Sequence, residues 1–173
     1  MFLHRPVNQS DLPAVCSFTE SEEELFHAFP KATYPLTPEQ LQRAIEQRAD
    51  STVIERDGET QGFANFYRWD AGVCCIGNVM VAPKARGQGV AQYLIQTMIA
   101  LAAHKYDALE TRVSCFNSNP GGLLLYAKLG FQPFAVEERQ APGGCRAALI
   151  HMRHVADQPN NSLQPTAPIR RGG

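Results

Sequence analysis

Apolar residues recur every three to four positions in some parts of the chain and alternate or run together in others, and each pattern predicts an element. Phe2 to Val7 reads as a first strand. Ser10 is placed to cap a helix beginning at Asp11. Ser21-x-x-Glu24 forms a capping box ahead of Leu25, Phe26 and Phe29, and Pro30 ends that segment. Thr37-Pro38-Glu39-Gln40 forms a second capping box with proline at the first helical position, and Leu41, Ala44, Ile45 and Ala49 follow at helical spacing. The period then changes. Thr52 to Glu55 and Thr60 to Tyr67 flank Arg56-Asp57-Gly58-Glu59, a hairpin signal. Asp70-Ala71-Gly72 turns the chain into a long apolar strand, Val73 to Val81. Val90, Leu94, Met98 and Leu101 share one face of a helix that runs from Gly89 to about His104. Leu109 to Phe116 is a Thr- and Val-rich strand. Asn119-Pro120 starts a short helix over Gly121 to Leu129, with Gly130 as its stop and Phe131 as the apolar clasp behind it. Phe134 to Arg139 and Ala147 to Met152 form a last hairpin across Pro142-Gly143-Gly144.

The order is strand, two or three helices, three strands, helix, strand, helix, two strands. It describes an α/β chain with a mixed sheet. Residues 1–155 read as one domain, and 156–173, polar and rich in Pro, Asn, Gln and Gly from Gln158, as a disordered tail.

Composition narrows the setting. Hydrophobic residues are 44 % of the 173, enough for a sizeable core. No apolar run has the length of a membrane span, and charge and proline in Met1–Pro6 argue against a signal peptide. A net charge of −1 supplies no field for nucleic acid or an anionic membrane. Five cysteines without a C-x-x-C spacing read as free thiols in a reducing cytoplasm. His151 and His154, three apart in a strand, point to opposite faces, so no metal site is expected.

The candidate chemistry lies in Val79-Met80-Val81-Ala82-Pro83-Lys84-Ala85-Arg86-Gly87-Gln88-Gly89-Val90-Ala91. A strand runs into a basic, glycine-rich turn that opens a helix. Unpaired N–H groups and the positive end of the dipole meet there, and glycine allows close approach, so the turn is a cradle for phosphate oxygens. It lacks the Gly-Lys-Ser/Thr ending of a P-loop.

The pattern Arg86-x-x-Gly89-x-Ala91 resembles the acetyl-CoA signature Q/R-x-x-G-x-G/A of the GNAT (GCN5-related N-acetyltransferase) superfamily. Asn119 to Phe131 resembles a second motif of that superfamily, N-x-x-A-x-x-L-Y-x-K-x-G-F, with Gly122 in place of its alanine. The resemblance covers about residues 2–153. It implies a mixed, mostly antiparallel seven-stranded sheet flanked by about four helices. It also implies transfer of an acetyl group from acetyl-CoA directly to a primary amine of a small molecule, peptide or protein.

Roles follow from the resemblance. Arg86, Gly87, Gln88, Gly89, Val90 and Ala91 hold the pyrophosphate, mostly through backbone N–H groups, with Arg86 and Lys84 adding charge. Val79, Met80 and Val81 pair with the pantetheine amides, and a backbone N–H near Met80 faces the thioester oxygen; the sequence alone reads equally as core. Tyr126 is the candidate acid for the leaving thiolate. Asn117 or Asn119 is a candidate pantetheine contact, although capping explains Asn119 alone. Gly122 reads either as a close approach to pantetheine or as part of a helix that is simply short. Cys115 reads as core.

Many relatives carry a glutamate on the fourth strand; here Cys74-Cys75-Ile76-Gly77-Asn78 carries no carboxylate, which leaves Glu110 and Glu22 to Glu24 as weak candidate bases. The acceptor pocket of the superfamily maps onto Glu22, Phe26, Phe29, Tyr34 and Tyr67, an aromatic cleft edged by acids that suits a cationic amine. Homodimers are common in the superfamily. A catalytically inactive CoA-binding sensor or interaction module is the alternative.

Overall fold

The computed structural model describes residues 1–156, so the expected tail lies almost wholly outside the described residues. Seven strands form one sheet in the order β1-β2-β3-β4-β5-β7-β6. The strands are β1 (Leu3–Pro6), β2 (Ala49–Arg56), β3 (Glu59–Asp70), β4 (Val73–Val81), β5 (Glu110–Phe116), β6 (Gln132–Gln140) and β7 (Arg146–Val155). The helices are α1 (Leu12–Cys16), α2 (Glu22–Ala28), α3 (Pro38–Gln47), α4 (Val90–Tyr106) and α5 (Pro120–Lys128). Every neighbouring pair is antiparallel except β4 and β5.

The helices lie on the two faces of the sheet. Ile54, Phe66, Ile76, Val113 and Cys115 pack against Val90, Leu94, Met98 and Tyr126 from α4 and α5. On the opposite face, Val53, Phe63 and Met80 pack against Leu12, Val15, Leu25 and Leu41 from α1, α2 and α3. Leu94, Ile95 and Met98 are fully buried, each contributing roughly 1.5–3 kcal/mol of transfer free energy.

Local signals are realised with small shifts. Ser21 and Thr37 cap their helices by accepting from the backbone N–H of Glu24 and Gln40, but the return halves of the two capping boxes go elsewhere: the Glu24 and Gln40 side chains accept from the Glu20 and Thr33 N–H groups. Ser10 is not the first cap: Asn8 takes that role, its side chain accepting from the Ser10 N–H, because a 3₁₀ turn over Gln9–Asp11 precedes α1. Ala49 leaves the helical pattern and opens β2, since α3 ends at Gln47. The α5 terminus closes as a Schellman motif: Gly130 has φ 90°, Phe131 N–H donates to Tyr126 O and Gly130 N–H to Ala127 O.

The decisive irregularity is in the middle of the sheet. β4 and β5 pair only through Val73–Cys75 and Glu110–Arg112, then diverge. One extra residue on β4 opposite β3, between Gly77 and Met80, marks a β-bulge, and Asn78 within it has φ 51°. Asparagine tolerates this left-handed conformation better than the apolar residues around it. Buried amides hold the bulge in place. Asn78 Nδ2 donates to Ala28 O, Asn65 Nδ2 donates to Asn78 Oδ1, and Arg48 donates to Asn65 Oδ1.

Candidate active site

Where β4 and β5 part, a cavity of about 710 Å³ opens, of the size that small-ligand sites occupy. Val79, Met80 and Val81 border it on a strand edge that has lost its β5 partner. At one end stands the start of α4. Gly87 and Gly89 have φ 72° and 87°, and no side chain caps the helix. First-turn N–H groups are therefore left for a ligand. Thr19 adds to the lining a buried hydroxyl that has no partner among the described residues.

Tyr126 reaches the cavity from α5, packed edge-on against Phe131 at 5.8 Å between ring centroids. Burial pushes its phenol well above the ordinary tyrosine range, so it stays a proton donor. Cys115 lies on the same wall, where burial raises its thiol to about 11 and leaves it protonated.

The model of the acetyltransferase (GNAT) family matches residues 16–131. The chain belongs to the GNAT acetyltransferase family. Solved structures agree in fold. A ribosomal-protein-alanine N-acetyltransferase from Brucella melitensis superposes with a TM-score of 0.74 at 21 % identity, covering 88 % of this chain and 99 % of that one. A GCN5-related N-acetyltransferase from Kribbella flavida gives 0.72 at 26 % identity over 89 % and 97 %. The yncA protein from Salmonella typhimurium, solved with its cofactor acetyl-CoA, gives 0.69 at 18 % identity over 91 % and 95 %. No curated protein sequence matches the chain.

Within this GNAT fold, the structure gathers most of the expected donor-site residues around the cavity. Val79, Met80, Val81, Arg86, Gly87, Gly89, Val90, Ala91, Asn119, Gly122 and Tyr126 all line it. Gln88 and Asn117 do not. Gln88 accepts from Arg56 and donates to Lys84 O, bracing the turn from outside. Asn117 extends the β5–β7 pairing, its side chain accepting from Ala148 N–H at 2.9 Å. Asn119 caps α5 by accepting from Gly122 N–H at 3.0 Å.

Two positions have surroundings that the sequence did not show. The Arg86 guanidinium turns away from the glycine turn to Glu24 (2.8 and 3.1 Å) and Phe18 O (2.8 Å), strapping α2 and the segment before it to the cavity rim. The Arg86 pair draws the Glu24 carboxyl below its ordinary range. At Gly122 a Cβ would stand 2.8 Å from both Cys115 Sγ and Asn119 Nδ2, so the thiol and the cap fill the space that a family alanine would use.

The five residues expected to form an aromatic acceptor cleft are not brought together around the cavity. Phe26 stacks on Phe116 at 4.3 Å, and Phe29 is buried in the core of the α1–α3 face. Tyr34 donates to Glu20 O, and Glu22 occupies the exposed first turn of α2. Phe29 and Tyr67 flank the protein's own Arg48, 5.7 and 5.6 Å from its guanidinium. Of the weak candidate bases, Glu24 is held by Arg86 and Glu110 by Arg112.

Sequence reading missed Thr19, His27, Gly77 and Ser114 in the lining. Gly77 and Asn78 carried a signal, because a glycine and an asparagine inside an apolar strand mark a bulge or a close approach. A Cβ on Gly77 would stand 2.7 Å from the Arg48 guanidinium and 2.8 Å from the Tyr67 ring.

Proposed function

We propose that the protein is an N-acetyltransferase that moves the acetyl group of acetyl-CoA directly to a primary amine of a small molecule or peptide. The observation that carries the reading is the meeting, in one cavity, of an uncapped glycine-rich α4 start, an unpaired β4 edge and a buried phenol.

The chain's residues divide the work. N–H groups from Gly87 to Ala91 hold the pyrophosphate, with the Gly87 and Gly89 conformations aiming the turn. Backbone groups of Val79 to Val81 pair with the amides of the pantetheine arm, and an N–H near Met80 stabilises the thioester oxygen as it gains charge. Tyr126 donates the proton that the leaving sulfur needs. Thr19 supplies a further hydrogen bond to the bound donor. With the Cys115 thiol held protonated, direct transfer is favoured over an acyl-cysteine route.

The reading is tested by titration calorimetry with acetyl-CoA and CoA, followed by thiol release monitored with DTNB across a panel of primary amines. The expected result is binding of both nucleotides and amine-dependent thiol release. Binding without release from any amine would leave a CoA-binding module instead; no binding of either would remove both.

A further inference from the structure

We propose that Ser114, His151 and Glu137 form a proton relay that removes the proton of the acceptor amine; the proposal rests on the acetyl-transfer reading above. An alkylammonium, with a pKa of about 10, reaches the site protonated at neutral pH and attacks only after losing that proton. Among the described residues, the one carboxylate lining the cavity is Glu24, and Arg86 holds it.

The relay begins at a lining residue. Ser114 is on β5 beside the point where β4 departs, and the Ser114 Oγ is 2.7 Å from His151 Nδ1. The two residues are direct partners across the β5–β7 ladder, so their side chains share a face. His151 Nε2 is 3.1 Å from Glu137 Oε2. Glu137 pairs with Leu149, two residues before His151, and reaches it diagonally on that face.

Charge fixes the direction of the chain. Arg139 first, then His151, hold the Glu137 carboxyl below its ordinary range, so it only accepts. Nε2 of neutral His151 therefore carries the hydrogen, and the Nδ1 lone pair faces the Ser114 hydroxyl. Other groups frame the site without interrupting it. Phe134 packs near the imidazole, with Arg112 and Arg153 stacked on it. Tyr67, from β3, lies beside Ser114 and Cys75 with its phenol raised by burial. His27 also borders the cavity, but its Nε2 faces Ser118 (2.8 Å) and Glu23 (4.0 Å), neither of which lines the cavity.

The step balances. The ammonium first gives one proton to Ser114 Oγ as the serine's own proton passes to His151 Nδ1, and the neutral amine nitrogen then bonds to the acetyl carbon. The carbon–sulfur bond breaks, and the departing electron pair takes the Tyr126 proton. The acylated nitrogen loses its second proton, which restores Tyr126, and the imidazolium, stabilised by Glu137, later releases its proton to solvent. Ser114 is the catalytic residue; His151 and Glu137, which act through it, are positioning residues.

Two measurements test this. Nitrogen-15 NMR of histidine-labelled protein at pH 8, with His151 assigned by its loss in His151→Gln, should show the Nε2–H tautomer. An Nδ1–H tautomer would overturn the proposal without touching the acetyl-transfer reading. DTNB assays follow with an aliphatic diamine, an arylalkylamine and a peptide with a free α-amino group. His151→Gln and Ser114→Ala should each lower kcat/KM for the amine about 100-fold at pH 7. Acetyl-CoA Kd should not change, and the deficit should shrink as pH rises and amine arrives neutral.

Glu137→Gln should give a smaller loss together with a population of Nδ1–H tautomer, and His27→Gln should keep the wild-type pH profile. Ser114→Ala removes a single oxygen and keeps the test open if His151→Gln folds poorly. Unchanged profiles in both relay variants, loss of the low-pH limb in His27→Gln, or acetyl-Ser114 in the mass spectrum would each overturn the relay. If the wild-type protein binds acetyl-CoA and acetylates none of these amines, the acetyl-transfer reading falls and the relay falls with it.

Discussion

The two sides of the β4–β5 cleft are built on different principles. The side we propose for the donor is made mostly of backbone: the glycine turn, the start of α4 and the free edge of β4, with α5 contributing Tyr126. Its geometry is fixed within a few residues by φ values and helix termini. The side we propose for the acceptor is made of side chains carried by separate elements: Ser114 from β5 lines the cavity and is backed by His151 from β7 and Glu137 from β6. A backbone-built wall suits a donor whose phosphates and amides are always the same. A wall of side chains from several strands can be exchanged one residue at a time, which suits an acceptor that differs between enzymes.

The contrast can be broken or sharpened by substitution. Tyr126→Phe should lower kcat by about 10²–10⁴ with little change in acetyl-CoA Kd, because the phenol acts on sulfur only as the bond breaks. Steady-state kinetics beside calorimetry would show this, and a large change in Kd would instead place Tyr126 in ground-state binding. Asn78→Ala should cost about 2–3 kcal/mol in urea unfolding, since it leaves the Ala28 carbonyl and the buried Asn65 amide without partners. It should also lower turnover more than it weakens acetyl-CoA.

Gly89→Val forces a β-branched residue into φ 87° at the α4 cap. It should weaken acetyl-CoA roughly tenfold to a hundredfold, the equivalent of the 1–3 kcal/mol that such backbone strain costs. Full affinity in that variant would mean that the backbone-built wall is not the phosphate site.

The smallest effect is expected at the strap. Glu24→Gln releases Arg86 and should cost about 0.5–1 kcal/mol, as for a partly exposed pair. The Glu24 pKa is lowered in the folded state, so the pair's contribution is present above the ordinary value of 4.5 and is lost as pH falls through the lowered folded value. Wild-type and Glu24→Gln stabilities should therefore converge in acid. If Glu24→Gln instead tightens acetyl-CoA, the freed guanidinium is a phosphate ligand after all.

The wall proposed for the donor was legible in the sequence because its signals are short-range. Gly87 and Gly89 announce positive φ, and the Asn119-to-Phe131 run contains its own cap, stop and clasp. Contacts between elements distant in sequence were not legible. Arg86 reads as a phosphate ligand from the motif it resembles, and its partner Glu24 comes from α2. Phe29 and Tyr67 looked like an empty aromatic cleft, but Arg48 lies between them. Gly122 had two readings, and Cys115, from the neighbouring strand, supplied a third.

By itself the sequence determined the order of elements, the places where only glycine or asparagine fits, and the donor-side motifs, since steric limits on φ and ψ and the periodicity of burial act between near neighbours. Tertiary structure alone decided which side chains meet. Ser114, His151 and Glu137 face one another only because β5, β6 and β7 pair in one register, and a slip of one residue would turn each to the opposite face.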